Sequence, residues 1–92
     1  MYITITGIDR YLGVESFRPG QYLVLKKDLE NPYDDEAIVV ENKSGVKCGY
    51  VANSRYTVAR GTHSAGYVYR DINDGDKAKV LFIIDENIIA EV

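Results

Sequence analysis

Asn31-Pro32-Tyr33-Asp34-Asp35-Glu36-Ala37-Ile38-Val39-Val40-Glu41 runs through Asn42-Lys43-Ser44-Gly45 into Val46-Lys47-Cys48-Gly49-Tyr50-Val51. Two short runs of branched and aromatic residues flank a segment of turn chemistry. This is the pattern of a β-hairpin: branched side chains pack on a pleated surface, and asparagine and glycine accept the angles of a tight reversal. The expected strands are residues 37–41 and 46–51. Gly49, inside the second, marks a point where another backbone or a ligand comes close. Residues 28–36 are polar and carry a proline, so they read as a loop. Within it, Asn31-Pro32 starts a turn and Asp34 can cap backbone amides ahead of the next strand.

Working outward, residues 2–8 alternate, with Ile3 and Ile5 facing a core and Thr4 and Thr6 facing away. Arg18-Pro19-Gly20 is a turn before a strand at 21–26, in which Leu23 and Leu25 oppose Tyr22, Val24 and Lys26. Asn73-Asp74-Gly75-Asp76 is a second strong turn. It precedes a strand at 77–84, where Ala78, Val80 and Phe82 are expected to share one side. A final strand is expected at 88–92, another at 66–69, and a short helix from Asn53 or Ser54 to about Arg60, stopped by Gly61. The expected fold is all-β with one short helix, in one domain over residues 1–92. A small antiparallel barrel or sandwich suits so many short strands, with an OB-like β-barrel as first choice.

Composition narrows the function classes. Of the 92 residues 46% are hydrophobic and 27% charged, which is globular rather than disordered. No run approaches the ~20 apolar residues needed to cross a bilayer, and the start lacks a signal-peptide pattern. No membrane partner and a soluble, cytoplasmic chain are therefore expected, and the single Cys48 fits a reducing compartment. The net charge of −3 is unlike a general nucleic-acid binder. Yet residues 42–70 contain no acid and carry +5, from Lys43, Lys47, Arg55, Arg60 and Arg70, between flanks of −4 each.

Catalytic chemistry finds no motif. His63 is the only histidine, and Cys48 alone is a poor second metal ligand. The Asp34-Asp35-Glu36 run lacks the alternating ligands and central glycine of a calcium loop. No phosphate-cradling glycine pattern is present. No catalytic residue, metal or cofactor is assigned. The eight tyrosines carry more information, since Tyr50, Tyr56, Tyr67 and Tyr69 lie in the cationic window. Tyrosine beside arginine suits base stacking and phosphate contact, and it equally suits a protein-docking face or the wet edge of a core.

One resemblance sharpens this. Gly7-Ile8, Arg10-Tyr11 and Gly13 are followed by Tyr22-Leu23-Val24-Leu25. Then come Glu30-Asn31-Pro32-Tyr33-Asp34 with Ala37-Ile38-Val39-Val40, and Gly49-Tyr50-Val51. In this order they resemble the HIRAN domain, a module of some SWI/SNF-type repair ATPases and of stand-alone bacterial proteins. The resemblance covers about residues 3–85. It implies an OB-like barrel that binds DNA at a free single-stranded 3′ end in repair or replication, without catalysis. By that resemblance Tyr11 contacts the terminal nucleotide, Asn31, Tyr33 and Asp34 hold the end, and Asp34 accepts from the 3′-hydroxyl. The pattern departs at Asp9-Arg10-Tyr11, where the basic residue is displaced by one position. It departs again at Tyr50, in place of a histidine, and at Asn53, in place of a lysine. Arg10, Lys47, Arg55 or Arg60 are the cations available to substitute. The expected nucleic-acid site is Arg10, Tyr11, Asn31, Tyr33, Asp34, Tyr50, Asn53 and Arg55. The alternative is a protein-interaction domain with a tyrosine- and arginine-rich face, docking a partner such as a helicase or nuclease. Oligomeric state stays open.

Overall fold

The hairpin forms as read. In the computed structural model, which describes residues 1–92, β3 (Ile38–Glu41) pairs antiparallel with β4 (Lys47–Val51). Gly45 at φ 81° and the Asn42 side chain close the turn, Asn42 Oδ1 accepting from the amides of Ser44 and Val46. The other strands are β1 (Tyr2–Thr6), β2 (Tyr22–Lys27), β5 (Lys77–Ile84) and β6 (Asn87–Glu91). They are hydrogen-bonded in the cyclic order β1-β4-β3-β2-β5-β6, and β6 returns to β1. Each pairing is antiparallel.

The OB-like barrel is therefore corrected. That architecture has five strands and is partly open, whereas here six strands form a ring with no free edge. The narrowest seam is β1–β4, with register pairs only at Ile5–Val51 and Thr6–Tyr50. Gly49 makes this approach possible: a methyl on its Cα would lie 2.9 Å from the Thr6 carbonyl oxygen.

The helix is corrected too. Residues 54–60 form turns, and α1 is Ala65–Val68, overlapping the segment 66–69 expected as a strand. Ser64 caps it, its hydroxyl accepting from the Tyr67 amide. β4 covers β1 only at Ile5 and Thr6, and the edge left beside Ile3 is taken by a parallel bridge to His63, whose amide donates to the Tyr2 carbonyl, so residues 66–69 find no edge of β1 to join. Residues 54–62 instead satisfy their backbone through local turns and hydroxyls, the amides of Thr57 and Val58 donating to the Ser54 carbonyl. Ser54 Oγ accepts from the Tyr56 amide, and Thr57 Oγ1 donates to the Ser54 carbonyl. Thr4 was expected to face solvent, yet it is fully buried beneath this loop. Its hydroxyl accepts from the Ala59 amide at 3.1 Å and meets that of Thr62 at 2.8 Å.

The core lies inside the ring and includes Ile3, Ile5, Leu23, Leu25, Ile38, Val40, Val80 and Ile88. Alternation in β5 holds for Ala78 and Val80 but breaks at Phe82, which is 57% exposed. A register shift between Val80 and Phe82 reverses the phase, so that Ile83 packs against the core instead.

Candidate nucleic-acid interface

The loop before β3 is organised by two side chains in series. Asn31 Oδ1 accepts from the amides of Tyr33 (2.9 Å) and Asp34 (3.0 Å), an Asx turn. Asp34 then accepts from the Glu36 amide through Oδ1 and from the Asn53 side chain through Oδ2, each at 2.9 Å. Asn53, just after β4, passes the link on, its Oδ1 accepting from the Gly66 amide in α1 at 2.8 Å. The carboxylate is thus held from two sides. A carboxylate offers about four acceptor positions, so two remain for a ligand. Tyr33 is the opposite case: it is 95% exposed, on a backbone fixed by Asn31.

A second cluster forms the facing wall. Lys47 Nζ donates to the Tyr50 hydroxyl at 3.0 Å, which in turn donates to Asp28 Oδ2 at 2.8 Å. The Tyr11 ring lies 6.4 Å from that of Tyr50, tilted by 44°, and the Lys47 ammonium sits over both rings. The Tyr50 hydrogen bond, helped by Asn31 and Lys47 against partial burial, holds the Asp28 carboxyl below its ordinary range. The same Tyr50 contact raises the Lys47 ammonium. For Tyr50, Lys47 pulls the phenol down, but burial and Asp28 outweigh it and the net shift is upward. The trio is therefore a lysinium, a neutral phenol and a carboxylate at neutral pH, a rigid prop rather than a nucleophile.

Between these walls is an open cleft of about 510 Å³. Arg10 and Tyr11 enter from the turn after β1, Asn31, Tyr33 and Asp34 from the loop, and Tyr50 and Asn53 from β4 and its exit. Arg10 makes no side-chain hydrogen bond or ion pair; Lys26–Glu41, at 3.1 Å, is the structure's single salt bridge. Seven of the eight expected site residues thus converge. Arg55 does not line the cleft but stands beside it, its guanidinium 5.0 Å from the Tyr56 ring centre and donating to the Tyr56 hydroxyl.

A family model, that of the HIRAN domain, matches residues 1–72. The chain belongs to the HIRAN family. The crystal structure of the HIRAN domain of human HLTF superposes with a TM-score of 0.67 at 22% identity, over 98% of this chain and 69% of that one. A crystal structure of a protein from Lactobacillus plantarum gives 0.64 at 21% identity, over 97% and 85%. These likenesses show the fold. A search of curated proteins gives no match. HIRAN domains are non-catalytic and are associated with nucleic-acid and DNA-end binding. In this one, β5 and β6, beyond the matched residues, complete the ring.

Sequence reasoning missed Asp28 and Glu30, both of which line the cleft. Asp28 meets Tyr50 only through the sheet, where Lys26 pairs with Val39 and Val39 with Tyr50. The cationic window does not fold into one patch. Lys43 lies by Tyr22 and Lys77, Arg60 by Tyr2 and Phe82, and Arg70 by Met1 and Tyr67. His63 stacks on Tyr67, ring centres 4.2 Å apart. The carboxylates of Asp34, Asp35 and Glu36 lie within 4.8 Å of one another, with both Asp34 oxygens already engaged by Glu36 and Asn53.

Proposed function

We propose that this HIRAN domain holds the free 3′ end of a single DNA strand in the cleft between Tyr11 and Tyr33. The observation that carries the reading is the pairing, in one open cleft, of a fully exposed tyrosine with a carboxylate immobilised from two sides. Tyr33 and Tyr11 supply ring faces for the terminal base. Asp34 accepts a hydrogen bond from the 3′-hydroxyl, and Arg10, with its donors free, takes the adjacent phosphate.

The charge of the cleft favours an end over a continuous backbone. Asp28, Glu30 and Asp34 line it against one lining cation, Arg10, with Lys47 behind the tyrosines. Such a surface repels a tracked phosphate chain but tolerates a hydroxyl and a base. The same charges disfavour a 3′-phosphate, so selectivity comes from repulsion as much as from contact.

The test is fluorescence anisotropy with short single strands that differ only at the 3′ terminus. The 3′-hydroxyl strand is expected to bind and the 3′-phosphate strand to bind at least tenfold more weakly, with a shallow salt dependence. Equal binding of the two removes end recognition. A protein-docking role for the same tyrosine face gives no reason for that discrimination, so the comparison separates the two readings.

A further inference from the structure

The loop between Asn53 and α1 presents a feature that end-binding does not use. Tyr56 is 82% exposed, and the Arg55 guanidinium covers one face of its ring at 5.0 Å. Their immediate neighbours Ser54 and Thr57 line the cleft, so the pair stands at its rim. Arg55 has no carboxylate partner, and its one side-chain hydrogen bond goes to the Tyr56 hydroxyl, leaving most of its five donors free.

This rim is built rather than loose. The Tyr56 amide is held by Ser54 Oγ, and the amides of Thr57 and Val58 by the Ser54 carbonyl. Ala59 is anchored on the hydroxyl of Thr4, the one buried polar side chain of the molecule. Thr62 ties the far end to the same hydroxyl and to the Ala59 carbonyl. A buried polar group in a core strand is stable only when bonded, and here it serves to fix a loop whose most prominent side chains point into solvent. An exposed aromatic on a fixed backbone loses little freedom on binding, which is what a stacking platform needs.

We infer that Arg55 and Tyr56 form a second nucleotide site, which stacks an upstream base of the strand on the open face of Tyr56 and neutralises a phosphate with Arg55. This rests on the end-binding reading, which it extends from a terminal nucleotide to a short strand leaving the cleft over Ser54–Thr57. The ligand class is single-stranded DNA longer than the cleft itself. The aromatic–cation pair accepts any base, because every base offers a π face.

The experiment compares 3′-hydroxyl oligonucleotides of two and eight nucleotides against the full chain and its variants. Tyr56→Ala is expected to weaken the eight-mer about tenfold and leave the dinucleotide unchanged. Tyr56→Phe keeps the ring and is expected to bind as the wild type does. Arg55→Gln is expected to reduce the salt dependence for the eight-mer by about one phosphate's worth. Tyr33→Ala serves as the contrast, weakening both lengths. Exposure of Tyr56 makes a folding defect easy to recognise, since the thermal midpoint should not move. If Tyr56→Ala binds the eight-mer as tightly as wild type while Tyr33→Ala does not, the second site is refuted and the end site stands. Equal weakening of both lengths by Tyr56→Ala also refutes it, placing the residue's effect in the cleft. If the wild type binds neither oligonucleotide, both readings fall together.

Discussion

Asp34 accepts a hydrogen bond from the Asn53 side chain at 2.9 Å, across 19 residues of chain, and Asn53 uses its other end on the Gly66 amide. One amide side chain therefore clamps the loop before β3 to α1. Replacing Asn53 by Ala removes both bonds and leaves a part-buried amide without a partner. The expected loss is about 1–3 kcal/mol of unfolding free energy, read from urea denaturation, together with weaker 3′-hydroxyl binding. Asn53→Asp is expected to be worse for binding, because it sets a second carboxylate against Asp34. Unchanged stability and binding in both variants would show that the clamp is not what positions the carboxylate.

Tyr33 offers the reverse separation of fold and function. At 95% exposure it contributes almost nothing to packing. Tyr33→Ala is expected to shift stability by no more than about 0.5 kcal/mol. Loss of one base stack is expected to weaken oligonucleotide binding roughly ten- to a hundredfold. A large drop in thermal midpoint, or wild-type affinity, contradicts the role given to this ring.

How far the site could be read in advance depends on the range of its contacts. The Asn31 turn closes over the four residues 31–34, and Asn-Pro followed by Asp is turn chemistry on its face, so the turn that carries Tyr33 and Asp34 was legible. Asp28 was not: its bond to Tyr50 exists because three strands align in register. The same distinction runs through the fold. Hairpin 38–51 and the turn at Gly75 are local and appear where expected. Phe82 points outward because of a register shift against β6, and Thr4 is buried because a distant loop covers it. Alternation within one strand contains neither fact. The segment 54–69 misled for a related reason, since its serine and threonine hydroxyls decide between helix and turn only once Thr4 is in place.

The Lys47–Tyr50–Asp28 prop carries a pH signature. The Asp28 carboxyl is held below its ordinary range, first by the Tyr50 hydroxyl. A carboxyl whose folded value is depressed adds stability above its unfolded value, and that contribution disappears as pH falls through the folded one. The window is therefore the acid edge, from the ordinary carboxylate range downward. Tyr50→Phe removes the largest cause, so Asp28 should titrate closer to an ordinary carboxyl, with Asn31 and Lys47 still holding it slightly down. Carboxyl carbon shifts followed by NMR through an acid titration of both proteins would show the change. Superimposable curves would mean that the hydroxyl does not support Asp28.

Gly49 tests the ring itself. Its φ is not in the left-handed region, so alanine there is limited by space alone. The added methyl would meet the Thr6 carbonyl oxygen at 2.9 Å, Ile5 Cγ2 at 3.0 Å and Ile8 Cγ2 at 3.1 Å. None of the three can yield cheaply. Thr6 is paired with Tyr50, one of only two register pairs in the β1–β4 seam, and Ile5 and Ile8 are buried in the core. Gly49→Ala is therefore expected to cost about 1–3 kcal/mol, and amide exchange should quicken along β1 and β4 before it does along β5 and β6. Because Tyr50 adjoins the strained point, the Tyr11–Tyr50 wall of the cleft should loosen as well, and oligonucleotide affinity should fall. A variant with wild-type stability and uniform exchange would show that the seam has slack, and the ring would then not depend on a residue without a side chain at its narrowest join.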